Sequence, residues 1–90
     1  MKSTRIIHLY ADPGHAWAKV KMSVLARLQL LDKISNYSYR YGDNAYLEED
    51  CDLQLYIVAL EAEGHEVQFK MMHHANQPSR IRNYKRFNWE

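Results

Sequence analysis

The 90-residue chain has little cysteine, no long apolar run and a long central stretch without Lys or Arg. The single thiol, Cys51, excludes an internal disulfide framework and a cysteine-built zinc cage within one chain. It suits a reducing compartment. Nothing in the sequence approaches the roughly 20 apolar residues of a membrane span, and the short apolar run near Ile6 cannot form a signal-peptide core. A soluble, cytoplasmic protein is the expectation, with no membrane partner. Nucleotide-binding loops, nucleophile elbows and zinc-protease motifs are absent, and so are repeats and linkers. No Lys or Arg occurs between Arg40 and Lys70.

What is present is uneven. Seven of the eleven acids lie between Asp43 and Glu63, whereas Arg80, Arg82, Lys85 and Arg86 crowd the C-terminal end. The net charge is only +1, so the chain is dipolar; a wholly basic nucleic-acid binder would differ. Hydrophobic residues make up 47 %, enough for one small domain over residues 1–90 without staples.

Arg5 to Tyr10 reads as a strand and Asp12-Pro13-Gly14 as a turn. Ala16 to Lys21 alternates, with Trp17, Lys19 and Lys21 on one side and Ala16, Ala18 and Val20 on the other. Which side carries the core is open at this point. Ser23 suits an N-cap for a helix from Val24 to about Leu31. Ser35 to Asn44 reads as a loop of extended character, and Ala45 to Leu47 as a possible short strand. Asp50 is the expected N-cap of a second helix, with Asp52 in its first turn, Leu53, Tyr56, Ile57 and Leu60 on its apolar side and Gly64 as its stop. His65 to Met72 alternates as a strand with one covered face, and residues 80–90 form a basic, partly ordered tail. The order is β-β-α-(β)-α-β: an α+β fold, with two helices on one face of a small, mainly antiparallel sheet of three to four strands.

Several pieces of the chain resemble a family of small proteins encoded by tailed bacteriophages and prophages. They are Asp12-Pro13-Gly14-His15 with Trp17, Lys33-Ile34-Ser35 with Tyr37-Ser38-Tyr39, the run Ala45-Tyr46-Leu47-Glu48-Glu49-Asp50-Cys51-Asp52, and Ile81-Arg82-Asn83-Tyr84. The run from Ala45 to Asp52 is the most specific. The family often carries Gly near position 29, where this chain has Gln29. The resemblance implies a phage accessory protein and no particular activity. By analogy with small phage proteins generally, it implies binding to a host protein of a defence or nucleic-acid-processing complex, as an anti-CRISPR-like inhibitor does.

The residues themselves offer three functional readings. The first is a non-enzymatic binding surface for a host protein, built from Tyr37, Tyr39, Tyr41 and Tyr46 with Glu48, Glu49 and Asp50; tyrosine is enriched at binding hot spots. The plainer alternatives are a polar-aromatic shell over the core and helix capping. The second is nucleic-acid binding by Arg80, Arg82, Lys85, Arg86 and Trp89, since arginine with stacking aromatics suits single strands. Against it, Arg82 is expected to fold back on Glu48, Glu49 or Asp50, with Ile81 to Tyr84 docked and Phe87 to Glu90 mobile. The weakest is a metal-dependent hydrolase drawing on Asp12, His15 and the acidic run, or a zinc group of His8, Asp12 and His15. No catalytic residue, metal or cofactor is assigned. Cys51 is expected to be buried and inert, because the neighbouring carboxylates oppose a thiolate. Monomer and homodimer are both open.

Overall fold

Alternation in the first twenty residues builds the centre of a sheet, and a computed structural model describes residues 3–89. Strand β1 (Thr4–Ala11) turns at Pro13-Gly14 and pairs antiparallel with β2 (Ala16–Lys21). Helix α1 (Met22–Arg27) follows directly. Strands β3 (Tyr39–Tyr41) and β4 (Asn44–Glu48) form a hairpin, then come helix α2 (Leu53–Ala62) and strand β5 (Glu66–His74). A 3-10 turn at Arg80–Asn83 leads to the short strand β6 (Lys85–Arg86). The strands form one six-stranded sheet in the order β5-β1-β2-β4-β3-β6. The β1–β5 pair is parallel and the others are antiparallel.

The fold is α+β with two helices, as expected, but the sheet is larger than three to four strands and is mixed. The segment read as an extended loop supplies β3, because Gly42 takes φ 59° at the first of two loop positions and closes a tight hairpin onto β4. The tail supplies β6, which pairs with β3. The parallel pair arises because α2 carries the chain back over the sheet before β5 begins.

Both helices pack on the face that carries Ile7, Ala18, Val20, Ala45 and Leu47, through Leu25, Leu53 and Leu60. This places Ala16, Ala18 and Val20 inward and turns Trp17 to the opposite, back face. There Trp17, Tyr39, Tyr46 and Ile81 form a second buried cluster under the tail.

The helix termini differ from the sequence reading. Helix α1 starts at Met22, one residue before Ser23, with Lys21 at the N-cap position and no side-chain cap. It ends early in a Schellman motif, with the Leu30 N–H on the Leu25 carbonyl and the Gln29 N–H on the Ala26 carbonyl. Gln29 is left-handed there, at φ 60°. Helix α2 ends in the same motif, with Gly64 in the equivalent place. Asp52, not Asp50, sits at the N-cap of α2, and its side chain makes no cap hydrogen bond. The buried carboxylate instead accepts from the Ser35 N–H at 3.0 Å, the Ser35 hydroxyl at 2.7 Å and the Ser38 hydroxyl. It ties the loop before β3 to the start of α2.

Strand β5 lacks the covered face that its alternation suggested. Val67 is half-buried, but Phe69 and Met71 are 52 % and 49 % exposed. The covering core reaches Val67 and stops short of both. At the C-terminal end Phe87, expected to be mobile with the residues after it, is buried in the helix-side core, and its N–H bonds the Ser38 carbonyl. Glu90, in the same expectation, lies outside the described residues. Among the described residues no helix is long and apolar enough to cross a membrane.

Candidate functional site

The back face is built by alternate residues of four strands. The β1–β2 register sets Tyr10 opposite Trp17, and β2–β4 sets Trp17 opposite Glu48 and Lys19 opposite Tyr46. The β3–β4 register sets Tyr39 opposite Tyr46. Tyr10 meets Tyr46 edge-on at 6.3 Å, and Trp17 meets Tyr39 edge-on at 6.3 Å.

The tail crosses this face and is pinned by Asp12. Arg82 donates from Nε to Asp12 Oδ2 at 2.6 Å and from Nη2 to Oδ1 at 2.8 Å. The N–H groups of Gly14 and His15 also reach Oδ1, and the Ser79 N–H reaches Oδ2. Five donors on one buried carboxylate are possible because the Asp-Pro-Gly turn aims two of them back at its own aspartate. The Arg82 pair, aided by the backbone donors and against the cost of burial, holds the Asp12 carboxyl far below the usual carboxylate range. The same pair keeps Arg82 protonated. The Arg82 guanidinium lies 5.4 Å from the centre of the Trp17 ring. A side chain at position 14 would crowd it, since a Cβ there would stand 2.9 Å from Nη2.

Arg82 therefore folds back on Asp12, not on Glu48, Glu49 or Asp50. The acidic run was the strongest charge cluster in the sequence, but in the fold Glu48 and Asp50 line a cleft beside Arg82 while its guanidinium is bonded to Asp12. Asp12 is thereby removed from the hydrolase and zinc groupings, its oxygens being occupied by five donors.

Two clefts flank the docked tail. One, of about 410 Å³, lies between Tyr37, Tyr39, Glu48, Asp50 and Arg86, with Trp17 and Arg82 in its floor. It brings residues of the expected protein-binding set together with residues of the basic tail. His15 Nδ1 and Glu48 Oε1 are 3.2 Å apart, and Arg86 stacks over Tyr39 at 4.8 Å. The indole Nε1 of buried Trp17 has no hydrogen-bond partner among the described residues. His15, Glu48 and Asp50 offer atoms within 4.8 Å of one another and are the residues that could hold a metal ion. The guanidinium groups of Arg82 and Arg86 in the same cleft oppose a cation there.

Cys51 also borders this cleft and is exposed, not buried as expected. Its thiol is pushed up to about 11, first by a hydrogen bond with Glu48, then by burial of the group and the charges of Glu48, Asp52 and Asp50. Exposure without a thiolate makes a poor nucleophile.

The other cleft, of about 520 Å³, is walled by Tyr10, Tyr46 and Tyr84 and bears Lys19, His73 and Arg80. No carboxylate stands among its described lining residues. The Tyr46 hydroxyl is held above its ordinary range, chiefly by burial.

The remaining expected residues are distributed as follows. Tyr37 and Tyr41 are exposed, while Tyr39, Tyr46 and Glu48 are buried beneath the tail and the strand pairing. Tyr41 stacks on Tyr84 at 4.7 Å. Glu49, Asp50, Arg80, Lys85, Arg86 and Trp89 are exposed. The residues that sequence reading passed over are Asp12 as an anchor and Tyr10, Trp17 and Lys19 as site walls. Alternation in β2 already placed Trp17 and Lys19 on one side; what it lacked was which side was open and the register that adds Tyr10. Comparison with family models, with curated proteins and with solved structures gives no match to the chain.

Proposed function

We propose that this chain is a non-enzymatic accessory protein that binds a host macromolecule through its back face, with a host protein as the partner. The observation that carries the reading is the smaller cleft, where exposed Tyr37, Asp50 and Arg86 surround a floor of Trp17 and Tyr39. Aromatic walls with both charge signs at the rim suit a protein surface, where aromatic anchors supply area and rim charges set orientation. The groups that could do chemistry are otherwise engaged: Asp12 by five donors, His15 by Glu48, and the Cys51 thiol by protonation. The resemblance to small phage and prophage proteins favours a partner from a bacterial defence or nucleic-acid-processing complex.

The test is capture from a bacterial lysate by the wild type and by Tyr37→Ala/Arg86→Glu. The wild type is expected to retain one protein in stoichiometric amount, and the double variant to lose it at an unchanged unfolding midpoint. Equal capture by both would sink this use of the cleft.

A second reading, nucleic-acid binding, is favoured by the larger cleft. Lys19, His73 and Arg80 beside three tyrosines, with no carboxylate among the described lining residues, suit a phosphate and a stacked base. Arg80 belongs to this cleft, whereas Arg82 is engaged by Asp12 and Arg86 borders the other one. Binding of a single-stranded oligonucleotide that weakens with salt and is lost in Lys19→Glu/Arg80→Glu would select it over the first reading.

A further inference from the structure

Strand β5 is the terminal strand of the sheet, with β1 as its neighbour among the described residues. The Glu66 N–H bonds the Ser3 carbonyl, which turns the backbone groups of Glu66 toward β1. Alternation along the strand turns those of Gln68 and Lys70 the same way. The N–H and C=O groups of Val67, Phe69 and Met71 therefore point outward. The regular run ends directly after Met71, because the register with β1 shifts there: Leu9 pairs with Met71 and Tyr10 with His73, leaving Met72 as the extra residue. The open edge is thus a short, regular segment centred on Phe69.

The side chains on this segment divide cleanly. Val67, Phe69 and Met71 share the helix-side face, as their pairing with Arg5, Ile7 and Leu9 requires, and Phe69 and Met71 project beyond the core. Glu66, Gln68 and Lys70 lie on the back face. An unpaired edge bearing apolar side chains is a template for another strand.

We infer that this edge pairs antiparallel with the same edge of a second copy, about a two-fold axis that sets Phe69 opposite Phe69 of the second copy. Three features select that partner and register. First, the outward backbone groups close on themselves: Phe69 meets its equivalent as a hydrogen-bonded pair, and Val67 meets Met71 of the second copy in both directions. Second, the apolar face becomes continuous through Val67, Phe69 and Met71, while on the other face Lys70 stands opposite Gln68 and diagonal to Glu66 of the second copy. Third, the two neighbouring symmetric registers lose apolar pairs. Centring on Gln68 sets Met71 against His65, outside the strand, and centring on Lys70 sets two ammonium groups directly opposite one another and forces Val67 against His73, beyond the shift. Lysine and a bulge are devices that discourage edge pairing in general; here they disfavour the register centred on Lys70. Isologous contact about a two-fold axis also closes, so the pairing stops at a dimer.

The test combines oligomeric state with register. Light scattering of the wild type at high micromolar concentration is expected to give twice the mass of one chain, and Phe69→Lys to give one. Phe69 is half-exposed, so the variant is expected to keep its far-ultraviolet circular dichroism. In a Cys51→Ser background, Phe69→Cys is expected to crosslink readily on mild oxidation, since hydrogen-bonded partners stand about 5.5 Å apart at Cα, within reach of a disulfide. Lys70→Cys should crosslink much more slowly. A wild type that stays monomeric at every concentration would overturn the inference. So would a dimer that survives Phe69→Lys, or crosslinking faster at Lys70→Cys than at Phe69→Cys. Should Phe69→Lys fail to fold, the two cysteine variants decide between the outcomes.

Discussion

At the scale of single residues, Asp12 organises more of the molecule than any other polar side chain described. It joins the β1–β2 turn to Ser79 and Arg82, seventy positions away. Asp12→Ala leaves Arg82 and three N–H groups without their acceptor. Breaking a buried pair costs about 3–5 kcal/mol, and Arg82 is one-third exposed, so a loss near the lower bound is expected in denaturant unfolding. The pH dependence has a definite sign. The folded carboxyl titrates below its unfolded value of about 3.9, so its contribution is complete above that pH and is lost as the solution is acidified further. The wild-type unfolding midpoint should fall steeply below about pH 4, and Asp12→Asn should flatten that fall. Cys51 illustrates the opposite shift. With its thiol at about 11 it should react with a disulfide reagent at pH 8 far more slowly than a free thiol peptide, despite its exposure. Glu48→Gln should speed the reaction; labelling as fast as the peptide in the wild type would refute the assignment.

Among the secondary-structure elements, the two helix ends form a natural comparison. Both close with the same pair of backbone bonds, but α2 has Gly64 at the left-handed position and α1 has Gln29. A residue with a Cβ in that conformation costs about 1 kcal/mol relative to glycine. Gln29 is exposed and no hydrogen bond of its side chain compensates among those described. Gln29→Gly is therefore expected to raise stability by roughly 0.5–1 kcal/mol, measured as a higher denaturation midpoint at an unchanged slope. A lower midpoint would mean that glycine's greater freedom in the unfolded chain outweighs the relief. Strand β5 shows the complementary limit of local reasoning: its alternation predicts a strand, and the neighbouring elements decide whether either face is covered.

For the molecule as a whole, the sheet has a core on each side, and only one is covered by helices. The second, around Trp17, Tyr39 and Tyr46, is closed by Ile81 and the chain around it. Removing residues from Ser79 onward should therefore expose an indole that is now 1 % accessible. The expected result is red-shifted Trp17 fluorescence and a lower unfolding midpoint, read in a Trp89-free background so that one indole reports. An unshifted spectrum would mean that the tail rests on this face without closing it. The acidic middle of the chain does not hold the tail, since Arg82 bonds the buried Asp12 instead. Burying Ile81 and the aromatic surface beneath it adds to that pair at roughly 25 cal/mol per Å².

The sequence by itself determined the local elements: the hairpin of β1 and β2, the stop of α2 at Gly64, the strand after it, and the two-helix α+β class. Each follows from a period or a turn residue acting over a few positions. Only the tertiary structure decided which side of β2 is core, because Trp17 and Ala18 alternate equally well either way and the helices choose the alanine side. It also decided the sixth strand, the burial of Phe87 and the choice of Asp12 over the acidic run as the partner of Arg82. These are contacts between residues as many as seventy positions apart. Their energies depend on which faces the sheet leaves open, and no local pattern in the chain encodes that. The same holds for the candidate site: tyrosines, acids and arginines were recognisable as residue types, but strand register alone sorted them into clefts, anchors and core.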